Sequence, residues 1–298
     1  MRLPAILLSL AFCLLQTYLL PAQEPLFVIS DLRPTYDLNN YLLIWKDESK
    51  TATLESLLSG AAQAQFQPAD SVKMRDKKGI YWGKFDLQNG LKDPSILTDW
   101  VLNIGEGSYV DCWMVGRDGK VKDYQKTGEL VPAEEKRTKL DNLNERILFS
   151  LTDSEPVTVF IRLQKINGHY PNFNLRLARE DRMKSQEQIA IRYRDWFFFG
   201  FMFTMIVFYA MLFFGVRDRT YLYYSIFLTG TSVFLLDIFG ILRDAPIISS
   251  FPKSRMYSVY VAGAVEDVAY IQFIRTYMNL GSLLPRWDKI YQYMTRVR

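Results

Sequence analysis

Trp196-Phe197-Phe198-Phe199-Gly200-Phe201-Met202-Phe203 opens a run, Trp196 to Val216, that is almost wholly apolar. An exposed helix of a soluble protein could not carry such a sequence. About 20 residues rising about 1.5 Å each cross a hydrocarbon core of about 30 Å. Arg217-Asp218-Arg219-Thr220 then makes a tight polar turn. Tyr221 to Leu242 forms a second apolar run, with Asp237 inside it, and a third, 256–278, carries Glu266 and Asp267 near mid-depth. Residues 196–279 therefore read as a membrane region. Residues 280–298 read as an amphipathic cytosolic connector.

The extreme N-terminus is also oily. Arg2 supplies a positive start, Ile6 to Leu20 is apolar, and Pro21-Ala22 follows, as in a secretory signal cut after Ala22. An uncleaved anchor is the other reading of residues 1–22. Either way the next segment is exported. Only Cys13 and Cys112 are present, and Cys13 lies in the signal, so no intrachain disulfide forms in the mature chain. Cys112 reads as buried apolar filler.

Between the oily ends the period changes from 3.6 to two. In Val157-Thr158-Val159-Phe160-Ile161-Arg162-Leu163 the odd positions are apolar, and Phe160 alone breaks the polarity of the other face. Phe173, Leu175 and Leu177 alternate with polar neighbours. Tyr81, Gly83, Phe85 and Leu87 share a face opposite Lys84 and Asp86. Trp100, Leu102 and Ile104 point one way. Tyr41–Trp45, Tyr109–Val115 and Ile147–Leu151 are further strands, and Lys78-Gly79, Asn89-Gly90, Asp118-Gly119 and Asn167-Gly168 punctuate them. Only Thr53 to Ala64 looks helical. Residues 24–178 are thus expected to form an all-β, jelly-roll-like antiparallel sandwich lying in the periplasm, followed by a linker or stalk, 179–195, and transmembrane α-helices. Gln186 to Arg194 can continue the first helix outward.

Charge excludes some functions. A net charge of +4, with no dense Lys/Arg block, makes no nucleic-acid surface. His169 is the single histidine and cannot build a triad or metal site alone; no paired carboxylates mark a glycosidase. No catalytic residue, metal or cofactor is expected. Trp45 and Trp113 are the candidate ligand contacts, because flat rings stack on sugar faces, although most tryptophans should fill the core. Asp237, Glu266 and Asp267 are the intramembrane polar groups. Glu266 or Asp267 either forms a polar link between helices or, for one of the two, lies closer to an interface. Export of the head places it outside the cytoplasm, at the plasma or inner membrane, even though Arg182, Lys184, Arg192 and Arg194 precede the first crossing against the positive-inside tendency.

Gly79-Ile80-Tyr81-Trp82-Gly83-Lys84-Phe85-Asp86-Leu87-Gln88-Asn89 resembles the G-x-x-W-x-x-F-x-L-x-N strand of bacterial seven-transmembrane receptors with diverse intracellular signalling modules. Trp113 and Gly128 are placed like a Tyr and a Gly of their type 2 extracellular domain. Arg217-Asp218-Arg219-Thr220-Tyr221-Leu222-Tyr223-Tyr224, Gly240, Phe273-Ile274-Arg275-Thr276-Tyr277-Met278-Asn279 and Pro285 resemble the turns of their membrane region. The resemblance implies a periplasmic jelly-roll sensor, seven helices, a carbohydrate or other small-molecule ligand, and a cytosolic output. The chain holds three of those helices and no output module, so a downstream signalling protein or a missing C-terminal domain is the implied partner, alongside the lipid bilayer. The expected function is a receptor relaying an extracytoplasmic ligand across the membrane. A membrane-anchored envelope adhesion module is the alternative, and a membrane-tethered glycoside-active enzyme is a third reading that needs the absent carboxylate pair.

Overall fold

The computed structural model describes residues 26–60, 65–91, 99–137, 145–151, 154–166, 170–179, 186–244 and 246–296. The signal reading of residues 1–22, with Cys13, lies outside them. So do His169, Arg182, Lys184 and the Asn167-Gly168 turn.

Alternation along the chain becomes two sheets face to face. The larger runs β4 (Gln67–Pro68), β3 (Leu43–Asp47), β5 (Ile80–Asn89), β10 (Val157–Gln164), β7 (Tyr109–Gly116), β8 (Val121–Thr127). β1 (Leu26–Ile29) joins the free edge of β5 beyond β3 and pairs with it in parallel, while the other described strand pairs are antiparallel, as the sandwich reading expects. The smaller sheet runs β2 (Thr35–Asp37), β11 (Asn172–Arg179), β6 (Asp99–Glu106), β9 (Glu145–Ser150). β1, β2 and β8 are strands the pattern does not reveal: two are very short, and Val121-Lys122-Asp123-Tyr124-Gln125-Lys126-Thr127 is an edge with too few apolar residues to alternate.

Successive strand side chains point to opposite faces, so one set from each strand meets in the middle. Tyr81, Phe85, Leu87, Val110, Cys112, Val159, Ile161, Leu163, Trp100, Leu102, Ile104, Leu175 and Leu177 form this inter-sheet core. Burial pushes the Cys112 thiol up. Gly128 ends β8 at φ +134, and a Cβ there would lie 2.5 Å from the Ser108 carbonyl oxygen, so only glycine fits the turn.

The outer face of the larger sheet is covered too. A short helix, α1 (Leu54–Leu58), is capped by Thr53, whose hydroxyl accepts from the Ser56 N–H while the Ser56 hydroxyl accepts from the Thr53 N–H. It lays Leu54 and Leu57 over Ile80, Trp82, Val115 and Phe160. Phe160 breaks the polar face of β10 because that face has its own apolar cover. The helix is shorter than the sequence suggests, and 61–64 lie outside the described residues.

After the sandwich come the helices. α2 (Gln186–Val216) starts within the segment read as linker; its apolar part, Tyr193–Val216, and α3 (Arg219–Ile238) are long and apolar enough to cross a membrane. The second ends at Ile238 rather than Leu242, with Gly240 at φ +75 just beyond. Two short helices, α4 (Ile241–Asp244) and α5 (Pro246–Ser250), lead into α6 (Pro252–Tyr277). α6 is long enough to cross, but Lys253, Arg255, Glu266, Asp267 and Arg275 leave its composition below that of the other two. α7 (Leu280–Leu283) and α8 (Pro285–Arg296) follow. Arg275 of α6 clamps Asp288 of α8, Nε to Oδ1 at 2.7 Å and Nη2 to Oδ2 at 3.3 Å, and this guanidinium holds the Asp288 carboxyl below the usual range.

Candidate functional site

The outer face of the larger sheet gathers aromatic and charged side chains into two cross-strand rows. Strand register places Trp45 beside Trp82, Trp82 beside Arg162, Arg162 beside Asp111, and Asp111 beside Lys126. The next row runs Lys84, Phe160, Trp113, Tyr124. Neighbouring strands lie about 4.8 Å apart, so rings on adjacent strands, such as Trp113 on β7 and Tyr124 on β8, stack, and the large Trp82 ring on β5 reaches Trp113 across the intervening β10. Trp82 and Trp113 have centroids 5.4 Å apart at 20°, and Trp113 and Tyr124 5.3 Å apart at 26°. Trp113 therefore has a ring on each face and presents its edge. Trp45 is half-buried and tilts against Phe66 at 6.1 Å. Trp82 is fully buried and Tyr124 half exposed. Trp100 alone of these tryptophans fills the inter-sheet core.

Polar groups border the rings. The Tyr124 hydroxyl donates to Asp111 at 2.8 Å, and Arg162 Nη1 reaches the other Asp111 oxygen at 3.4 Å. Burial, then the Asp111 carboxylate, push the Tyr124 phenol up to about 12. Thr158 donates to Asp86 at 2.6 Å, and Lys84 Nζ sits 5.9 Å from the Phe160 ring centre. Among the described residues, Trp82 Nε1 and Arg162 Nε are buried without a hydrogen-bond acceptor.

In the helices, Asp237 lies in the last turns of α3 and faces Arg255 of the first turns of α6, 3.4 Å away. Glu266 accepts from the Thr231 hydroxyl at 2.9 Å, joining the middles of the same two helices. Asp267, one residue on, points to the exposed side of α6. Gly230 permits this approach: a Cβ there would lie 2.7 Å from the Glu266 Cβ and 3.0 Å from the Ala262 carbonyl oxygen.

This helical segment has a counterpart among known proteins. Its sequence over 191–297 matches the family described as 7TM diverse intracellular signalling.

The 7TM diverse intracellular signalling family is one of receptors and sensors rather than enzymes, and the matched segment holds the Asp237–Arg255 and Glu266–Thr231 contacts. No curated protein matches the chain. A β-glucuronidase from Ruminococcus gnavus in complex with D-glucaro 1,5-lactone is a similar solved structure, at 10% identity and a TM-score of 0.31. The likeness covers 51% of this chain and 31% of that one, and it is too slight to carry an argument about ligand or activity. Among the described residues no three His, Cys, Asp or Glu side chains are grouped to hold a metal.

Two features escape sequence reasoning. α5, just ahead of α6 in the matched segment, lies against the turn Ala133–Glu135 of the sandwich, and Glu135 pairs with Lys126 at 2.7 Å. Lys126 stands beside Asp111 in the aromatic face. Tyr124 is the other omission. Its polar strand hides it, and only the register with Trp113 reveals its position.

Proposed function

We propose that the chain is the sensing part of a membrane receptor: the β-sandwich binds an extracytoplasmic ligand, a carbohydrate by preference, and binding alters the packing of α3 against α6. The carrying observation is the signalling-family match over 191–297, joined in one chain to a two-sheet head. The aromatic face supports a glycan ligand. A ring edge at Trp113, the exposed Tyr124, half-buried Trp45, and the hydrogen-bonding groups of Asp111 and Arg162 are the chemistry that sugars meet. The route inward runs from Asp111 and Lys126 through Glu135 to α5 and then to α6, which Asp237 and Glu266 tie to α3. The head lies outside the cytoplasm, and a cytosolic signalling partner reads the far ends of the helices.

Hydrogen exchange on the full chain in lipid nanodiscs, with and without the best binder from a glycan array, tests the reading. Protection at 109–127 together with altered exchange in 219–238 and 252–277 is the expected result. Protection of the head with unchanged helices would favour a membrane-anchored adhesion module instead. Absence of binding across the array would remove the carbohydrate.

A further inference from the structure

A second concavity lies away from the aromatic face, where the segment after β4 passes the start of β11. It is a cleft of about 850 Å³, within the roughly 300–1,000 Å³ typical of small-molecule sites. Its apolar surface comes from Leu42, Ile44, Val72, Met74 and Phe173. Leu42, Ile44 and Phe173 are buried, and the close approach of Leu42 and Phe173 to Gly83 fixes this floor. Asp70 and Arg75, of opposite charge, stand on the wall, with Asn172 and Tyr170 facing them from the β11 side.

Asp70 and Arg75 differ from most charges of the head. Lys46, Asp76, Lys126, Glu135, Arg137 and Asp123 are committed to ion pairs. The side chains of Asp70 and Arg75 have no hydrogen-bond or ion-pair partner among the described residues, while the Arg75 N–H donates to the Lys73 carbonyl at 2.8 Å. The wall that carries them is nevertheless held at both ends. The Ala69 N–H donates to the Leu42 carbonyl at 3.0 Å, the Asp76 N–H donates to the Tyr81 hydroxyl at 3.2 Å, and Lys46 pairs with Asp76 at 3.4 Å. Lys77 Nζ sits 5.1 Å from the Tyr170 ring centre, tying the wall to the opposite rim. A backbone wall held at both ends loses less freedom on binding.

We propose that this cleft binds a short zwitterionic peptide, a di- or tripeptide with an apolar side chain. Asp70 accepts from its terminal ammonium, Arg75 forks onto its terminal carboxylate, and the side chain lies on Leu42, Met74 and Phe173. Arginine matches a carboxylate with two parallel N–H donors, and the compact ammonium suits a single carboxylate. A neutral sugar would leave both charges without counterpart, which distinguishes this site from the aromatic face.

Calorimetric titration of the full chain in nanodiscs with aliphatic and aromatic di- and tripeptides tests it. Asp70→Asn and Arg75→Gln, both at exposed positions, should each weaken binding about tenfold or more and leave the melting temperature unchanged. N-acetylated peptide should bind wild type and Asp70→Asn alike, and C-amidated peptide should bind wild type and Arg75→Gln alike, because each pair lacks the same contact. No binding by any free peptide at millimolar concentration overturns the proposal, as does binding that both variants leave intact.

Discussion

Tyr36 and Tyr124 show how one residue's environment sets its chemistry. Each phenol donates to a carboxylate, Tyr36 to Asp31 at 2.7 Å and Tyr124 to Asp111 at 2.8 Å, and burial followed by that carboxylate pushes each to about 12. An ordinary phenol ionises near pH 10. A folded value above the unfolded one favours the protonated, folded state. The stabilisation is therefore complete below about pH 10 and is lost as pH rises toward 12. The phenolate absorbance of wild type minus that of Tyr36→Phe/Tyr124→Phe should rise about two pH units late; a difference curve centred near pH 10 would contradict the geometry. Neither residue is marked by sequence pattern, since hydrogen-bond partners five and thirteen positions away depend on the turn and on strand register.

Elements were legible where periodicity is strong. β5, β7, β10 and β11 alternate cleanly, because each has one face in the inter-sheet core. The short or polar edge strands β2, β4 and β8 were not legible, since an edge strand needs few apolar residues, whereas the more apolar edge strand β9 was, as Ile147–Leu151. At the membrane, apolar length identified the first two helices, and side-chain packing decided which polar residues join them. Gly230 lies at a close approach of α3 and α6. Gly230→Ala should drive these helices apart at about 1–3 kcal/mol, whereas Gly263→Ala, with no described atom within 4 Å of its new Cβ, should be tolerated. Thermal unfolding in detergent compares them, and equal loss in both variants would rule out the close approach.

At the scale of the whole molecule, a head of two sheets continues into helices whose sequence matches the 7TM diverse intracellular signalling model, with α5 touching the sandwich turn at Ala133–Glu135. The orientation of the head can be read by cysteine labelling. Buried Cys112, with its thiol pushed up, should remain unlabelled in the native chain. On intact cells a membrane-impermeant maleimide should label Tyr124→Cys, while Trp287→Cys should react only after permeabilisation. The opposite pattern would put the head in the cytoplasm.

Composition and period alone determined the division of this chain into a β-layered head and an apolar helical tail, because hydrophobic burial imposes a period of two on strands and an unbroken apolar length on spans. Tertiary structure decided which face each tryptophan occupies, that both faces of Trp113 are covered, that Glu266 meets Thr231 while Asp267 points outward, and that Asp70 and Arg75 share a cleft. Those outcomes follow from strand register, helix rotation and the meeting of segments distant in sequence.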